Sequence, residues 1–161
     1  MSVISITPDA STAVFLPGAG FADAYRLVVD EPALTAAAAA ARVFARPPPW
    51  VGALLALRNR IVAPFGLKGA RAAPSDTARH IGFFPVVSQS KDRVVLGFDD
   101  RHLDFRVIVD VAPAAGGRQS VTATTLVRRH NLAGAVYLAF IMPFHRLIVR
   151  AMLAQAGGKA G

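Results

Sequence analysis

The stretch NLAGAVYLAFIMPFHRLIVRAML, from Asn131 to Leu153, decides how the rest of the chain must fold. Its run from Leu132 to Phe144 carries no charge, and the basic residues Arg146 and Arg150 follow it. Successive residues of an α-helix turn by about 100°, and on that spacing the apolar arc is far wider than a surface helix needs. The pattern therefore predicts a helix with a sheet packed around it, and it allows a cavity between the two.

Three residues of this segment carry further information. Asn131 is a good N-cap, because its side chain can accept a hydrogen bond from the first turn. Pro143 removes a backbone hydrogen bond and is expected to kink the helix near its middle. His145 falls inside the apolar arc, where a histidine is more often a core residue bonded to a carbonyl or hydroxyl. The alternative is a neutral imidazole that faces a cavity, where it could bind a polar ligand group or act as a general base.

The segments before this helix predict strands and two short helices. A first strand spans Phe21 to Asp30, and helices follow at Ala33 to Ala45 and Trp50 to Val62, separated by three prolines. Gly66 to Thr77 has the small residues of a loop. The later strands with a period of two are Ile81 to Ser88, Arg93 to Phe98, His102 to Val111 and Gln119 to Arg129. The order predicts one α+β domain over residues 1–161, with an ordered core at about 12–154, a flexible tail at 155–161 and five or six antiparallel strands.

Composition narrows the class of protein. The chain of 161 residues contains no cysteine, which excludes disulfides and thiolate chemistry, and we expect a cytoplasmic location. The net charge is +8, and arginine supplies most of the positive charge. A solvated basic face is favoured over a specific nucleic-acid site, because no basic patch interleaved with aromatic residues is present. No signal peptide is predicted, and the uncharged run is shorter than the ~20 residues of a membrane span, although its basic flanks leave surface association open.

Other polar and aromatic residues are weaker candidates for a site. His102, Asp104 and Arg106 alternate on one strand face, and the likelier interpretation is an exposed row of charges. If that face instead lined a cavity, His102 and Asp104 would form an acid/base pair oriented by Arg106. Trp50 is most simply a core anchor, although an aromatic residue at a cavity mouth often grips an apolar ligand. The histidines are not spaced as a metal triad, and neither a metal nor a cofactor is predicted.

Four segments resemble a known bacterial family: PPPWVGALLALRNRIVAPFGLK, IGFFPVVSQS, VVLGFDDRHLDFRV and RRHNLAGAVYLAFIMPFHRLIVRAML. The family is domain of unknown function number twenty-eight sixty-seven, and the resemblance runs from about Ala22 to Leu153. It implies membership of the broad group similar to START and birch-pollen-allergen domains. These share a helix-grip fold, a curved antiparallel sheet of seven strands wrapped around a long C-terminal helix, with two short helices and a hydrophobic cavity. Our count of five or six strands is lower, so either Phe15 and its neighbours supply a further strand, or the sheet is shortened and the cavity is smaller.

Three functions follow as hypotheses. The first is binding of an apolar or amphipathic small molecule, anionic in one version, between the sheet and the last helix. The second is a cyclase or isomerase in the same cavity, with His145 as base and Asp104 or Tyr137 assisting. The third is an interaction module, such as a homodimer, without a ligand. The candidate ligand-binding residues are His145, Tyr137, Ile141, Phe144, Trp50 and Phe105.

Overall fold

A computed structural model describes residues 1–65 and 79–158 of the chain. It has the predicted α+β architecture, with one open, fully antiparallel sheet of seven strands in the order β1-β2-β7-β6-β5-β4-β3. The strands are β1 (Ile4–Ile6), β2 (Phe21–Val29), β3 (His80–Ile81), β4 (Phe84–Gln89), β5 (Arg93–Asp99), β6 (Leu103–Ala114) and β7 (Arg118–Arg129). The α-helices are α1 (Ala36–Phe44), α2 (Pro49–Val62) and α3 (Leu132–Ala154). The loop expected at Gly66 to Thr77 and residues 159–161 of the expected tail lie outside the described residues.

The expected number of strands was too low. The short strand β1 pairs with β2 and was missed because three residues are too few to show an alternating pattern. The single strand expected from Ile81 to Ser88 is divided in two, because Gly82 has φ +60 and turns the chain between β3 and β4. Phe15 supplies no strand. It ends a 3-10 helix, Ala10–Phe15, in which the Asp9 side chain accepts a hydrogen bond from the Ser11 backbone amide.

The two faces of the sheet have different coverings. One face packs against the three α-helices and forms the main core, to which β2, β5, β6 and β7 contribute. The opposite face carries a smaller apolar cluster under the N-terminal 3-10 helix, formed by Leu16, Val95, Ile108 and Leu126. Both faces of β6 therefore pack against apolar residues. Its odd-numbered residues such as Val107 face the helices, and Ile108 faces the opposite side.

The last helix begins where the sequence predicts. The Asn131 side chain accepts a hydrogen bond from the Gly134 amide at 3.0 Å, as an N-cap does. Gly134 is buried, and a Cβ at this position would overlap the backbone carbonyl oxygen of His102. The helix continues through Pro143 to Ala154, and a 3-10 turn at Gln155–Gly157 follows it. The start of α3 is thus held close to the turn between β5 and β6.

Candidate functional site

A cavity of about 260 Å³ lies between the helix-bearing face of the sheet and helices α2 and α3. Its floor comes from β6 and β7, including Phe105, Val107 and Thr125. Aromatic side chains dominate the wall, and eight phenylalanines line it among the residues whose side chains the structure describes. They are Phe21, Phe44, Phe83, Phe84, Phe98, Phe105, Phe140 and Phe144. Pockets that bind small molecules have this mostly apolar and aromatic character.

Most of the predicted ligand-binding residues meet at this cavity. Tyr137, Ile141, Phe144 and His145 line it from α3, and Phe105 lines it from β6. The periodicity of α3 predicts this grouping, because the four helical residues fall within one arc of about 100° that borders the cavity.

Trp50 is not part of the cavity wall. It lies at the start of α2 and is 44% exposed, whereas Leu54, Arg58 and Ile61 of the same helix do line the cavity. Arg58 was not predicted. Its spacing from Leu54 and Ile61, at four and three residues, is the signal that places it on the same side of α2.

One polar pair of the cavity joins α2 to α3. The Arg58 Nε donates a hydrogen bond to the Tyr137 hydroxyl at 2.7 Å, and its guanidinium carbon lies 5.1 Å from the centre of the Tyr137 ring. Arg58 also donates to the Asn59 side-chain oxygen. A tyrosine hydroxyl that accepts one hydrogen bond can still donate its own proton, so the pair offers a cation and a donor to a ligand.

The second polar pair joins α3 to β2. The His145 Nε2 lies 3.1 Å from the Asp23 carboxylate, and the His145 ring meets the Phe21 ring edge-on with centroids 5.9 Å apart. His145 therefore lines the cavity, and its Nε2 contacts the Asp23 carboxylate. The histidine partner expected from the sequence was a carbonyl or hydroxyl. Asp23 was missed, although it shares the inward side of β2 with Tyr25 at a spacing of two.

Tyr25 lies on β2 two residues from Asp23 and outside the cavity lining. Burial raises the pKa of its hydroxyl, and the negative charge of Asp23 raises the pKa further. The charges of Arg146 and Arg150 oppose that rise, and the Arg150 guanidinium lies 5.9 Å from the Tyr25 ring centre. Tyr25 is therefore neutral near pH 7 and can only donate or accept hydrogen bonds there.

His102, Asp104 and Arg106 do not line the cavity. His102 Nδ1 contacts the Asn131 side chain, and Arg106 forms an ion pair with Asp99 at 2.8 Å. Asp104 lies on the sheet face opposite the α-helices, since its neighbour Phe105 faces the cavity. Each of the three side chains thus has a different partner, and His102 and Asp104 do not form an acid/base pair in the cavity.

Asp104 has a structural role instead. Its side chain is buried. Its Oδ2 accepts a hydrogen bond from Arg128 at 2.6 Å and lies 2.9 Å from His130 Nε2. Burial alone would raise the pKa of this carboxyl, but the hydrogen bonds from His130 and Arg128 outweigh it and hold the pKa below the usual value.

We expect Asp104→Asn to lower the free energy of unfolding by about 1–3 kcal/mol at pH 7, because it removes a buried charge-assisted bond. A carboxyl with a lowered folded-state pKa stabilises the fold above its unfolded pKa of about 3.9, and the contribution disappears as pH falls through the folded-state value. Urea unfolding of both proteins between pH 2 and pH 7 measures this. The difference in unfolding free energy between the two proteins should shrink only below about pH 4. A constant difference down to pH 2 would contradict a lowered pKa for Asp104.

In residues 1–65 and 79–158, no three histidine or carboxylate side chains lie close enough together to hold a metal ion. The polar residues that line the cavity are Arg58, Tyr137, His145 and Thr125 among the described residues, and Asp23 contacts His145.

Comparison with known proteins gives the family. A family model described as "Protein of unknown function (DUF2867)" matches residues 15–152, which include α3 except its last two residues and every cavity residue given above. The chain belongs to this family. No curated protein and no solved structure matches it. Membership of DUF2867 confirms the resemblance in the sequence, and it assigns no role to any residue.

One further property of α3 was not expected. The segment Leu132–Gly157 is long and apolar enough, by length and composition alone, to cross a membrane. Core helices of soluble proteins meet the same criterion, and α3 packs on the sheet through Leu138, Met152 and Leu153. Only 11% of its most apolar window is buried, however, so much of its apolar surface faces outward.

Proposed function

We propose that this DUF2867 protein binds a small amphipathic molecule in the cavity beneath α3. The observation that carries the proposal is a cavity wall of phenylalanines with one cationic pair, Arg58 and Tyr137, at its helical side. An apolar ligand body would displace no hydrogen-bonded water from such a wall. The proposal includes a helix-grip arrangement of sheet and α3, supported by the cavity between them.

The size of the cavity limits the ligand. At about 260 Å³ its volume is just below the range of small-molecule pockets, which is roughly 300–1,000 Å³. A molecule with one or two small ring systems, or one acyl chain, fits this volume better than a large polycyclic molecule does. Arg58 favours a carboxylate, sulfonate or phosphate as the polar group, because a guanidinium binds such anions with charge-assisted hydrogen bonds.

A pair of fluorescent probes tests the charge preference. The anion 1-anilinonaphthalene-8-sulfonate and the neutral N-phenyl-1-naphthylamine have the same aromatic body. We expect Arg58→Gln to weaken sulfonate binding by about tenfold, or about 1.4 kcal/mol, and to leave the neutral probe nearly unchanged. Fluorescence titration gives both dissociation constants.

Arg60→Gln is the matched control, because Arg60 lies two residues further along α2, is exposed and does not line the cavity. It removes the same net charge and should change neither constant by more than about twofold. Equal losses in the two variants would show that net charge, and not a contact in the cavity, controls sulfonate binding.

The His145–Asp23 pair supports a second candidate, an enzyme of the cyclase or isomerase type. A carboxylate that orients an imidazole in a cavity is the arrangement used by general bases, and Tyr137 lines the same space. Asp104 cannot assist, since it lies on the other face of the sheet. The two functions are distinguished by the fate of a co-purifying molecule. An enzyme converts the molecule into a product, and the conversion stops when His145 is replaced. A binding protein releases the molecule unchanged.

A further inference from the structure

An apolar stripe runs along the outside of α3. Its residues recur at spacings of three and four, so they share one helical face, and they are Leu132, Val136, Phe140, Phe144 and Leu147. Each is between 41% and 79% exposed. Helix α2 adds Leu57 and Ile61, at 53% and 44%. We call these seven residues the rim. Exposed apolar patches of this extent on a folded protein mark an interaction surface.

The rim is continuous with the cavity. Leu57 and Ile61 of α2, and Phe140 and Phe144 of α3, are exposed to solvent and also line the cavity. The mouth of the cavity therefore opens within the rim, between the two helices. A molecule that leaves the cavity there passes directly onto an apolar surface.

Every charged side chain on helices α2 and α3 is positive, and the carboxylate of Asp23 on β2 that contacts α3 is paired with His145. Helices α2 and α3 contain no aspartate or glutamate, and the sequence has none at residues 32–75 or after residue 110. On α2, Arg60 is exposed, and Arg58 lies on the cavity side of the helix. Arg146 and Arg150 lie at the edge of the stripe that is away from the cavity, about 100° and about 60° from its centre. The rim is thus an apolar stripe with arginines along both sides, the pattern of helices that lie in a membrane interface.

Charge decides between the two partners that an apolar rim could have. A second copy of the chain joined at α3 would place Arg60, Arg146 and Arg150 near their counterparts, and helices α2 and α3 carry no carboxylate to compensate. An anionic lipid surface supplies the compensating charge, and its acyl region accepts the apolar stripe.

We propose that the rim docks on the surface of a bilayer containing anionic phospholipid, with the mouth of the cavity against the acyl chains. Docking itself is independent of the proposed function. Exchange of an amphipathic molecule between cavity and bilayer would follow only if both proposals hold.

Sedimentation with vesicles tests docking. We expect the full chain to bind vesicles of phosphatidylcholine mixed with phosphatidylglycerol, and to bind pure phosphatidylcholine at least about tenfold more weakly. Raising the salt concentration should weaken binding to the mixed vesicles, because the Debye length falls from about 10 Å at 0.1 M to about 3 Å at 1 M.

The double variant Val136→Gln with Leu147→Gln removes rim surface without touching the cavity, since neither residue lines it. It should lose at least about tenfold in vesicle binding and still bind N-phenyl-1-naphthylamine as before. The control is Val14→Gln with Val87→Gln. These residues are 70% and 52% exposed and lie outside α2 and α3, so vesicle binding should not change.

Three results would overturn docking. The first is equal binding to both vesicle types, and the second is unchanged vesicle binding in the rim variant. The third is a wild type that light scattering shows to be a stable dimer and a rim variant that is a monomer, with neither protein bound to vesicles. A wild-type protein that binds vesicles but does not bind N-phenyl-1-naphthylamine would instead contradict the proposed function and leave docking in place.

Discussion

Gly134→Ala is expected to destabilise the protein by about 1–3 kcal/mol or more, although alanine is ordinarily the better helix former. The added methyl group would overlap the carbonyl oxygen of His102. That carbonyl cannot move aside easily, because it accepts a hydrogen bond from the His130 amide at 3.0 Å. The first turn of α3 must therefore shift away from the sheet, and the packing of Leu138 on Leu103 and Val127 shifts with it.

Gly52→Ala is the matched control, because Gly52 lies within α2 and a Cβ there would meet nothing within 4 Å. It should stabilise the protein by about 0.5–1 kcal/mol through reduced backbone entropy of the unfolded chain. Urea unfolding monitored by circular dichroism measures both variants. Two helical glycines with effects of opposite sign would support the close contact of α3 with the sheet, and a Gly134→Ala protein as stable as the wild type would contradict it.

Val107→Phe should be tolerated, whereas Val109→Phe should lower the free energy of unfolding by about 1–3 kcal/mol or more. Both valines are buried, lie on β6 and face the helices, but only Val107 lines the cavity. A phenyl ring at residue 107 can enter the empty volume. The same ring at residue 109 meets close-packed neighbours, and overpacking forces side chains off their preferred rotamers.

Thermal and urea unfolding of the two variants decides this prediction without any ligand. If both substitutions destabilise the protein equally, the space beneath α3 is filled in solution. If Val107→Phe unfolds at a higher urea concentration than the wild type, the added apolar contacts outweigh any strain. In either case the comparison holds strand, side chain and burial constant.

The sequence was most informative where structure depends on local signals. The start of α3 follows from Asn131, whose side chain can cap only the helix that begins beside it. The start of α2 follows from Pro49, which fits the first helical turn because it needs no amide hydrogen. The cavity side of α3 follows from helical spacing, which places Ile141 and His145 together against the sheet.

Features that depend on distant pairing could not be obtained this way. His145 and Asp23 are 122 residues apart in the chain, and nothing near either residue indicates the other. The strand β1 exists because β2 offers it an edge, and its three residues carry no pattern of their own. Asp104 appeared to belong to an exposed row, yet Arg128 and His130 on and just beyond the neighbouring strand make its burial tolerable.

The most direct test of the central claim is calorimetric titration of the wild-type protein and Val107→Phe with 1-anilinonaphthalene-8-sulfonate. We predict one saturable site in the wild type and affinity at least about tenfold weaker in the variant, with both proteins folded by circular dichroism. Absence of saturable binding to the wild type, or equal binding by a folded Val107→Phe, would contradict a ligand-binding cavity beneath α3.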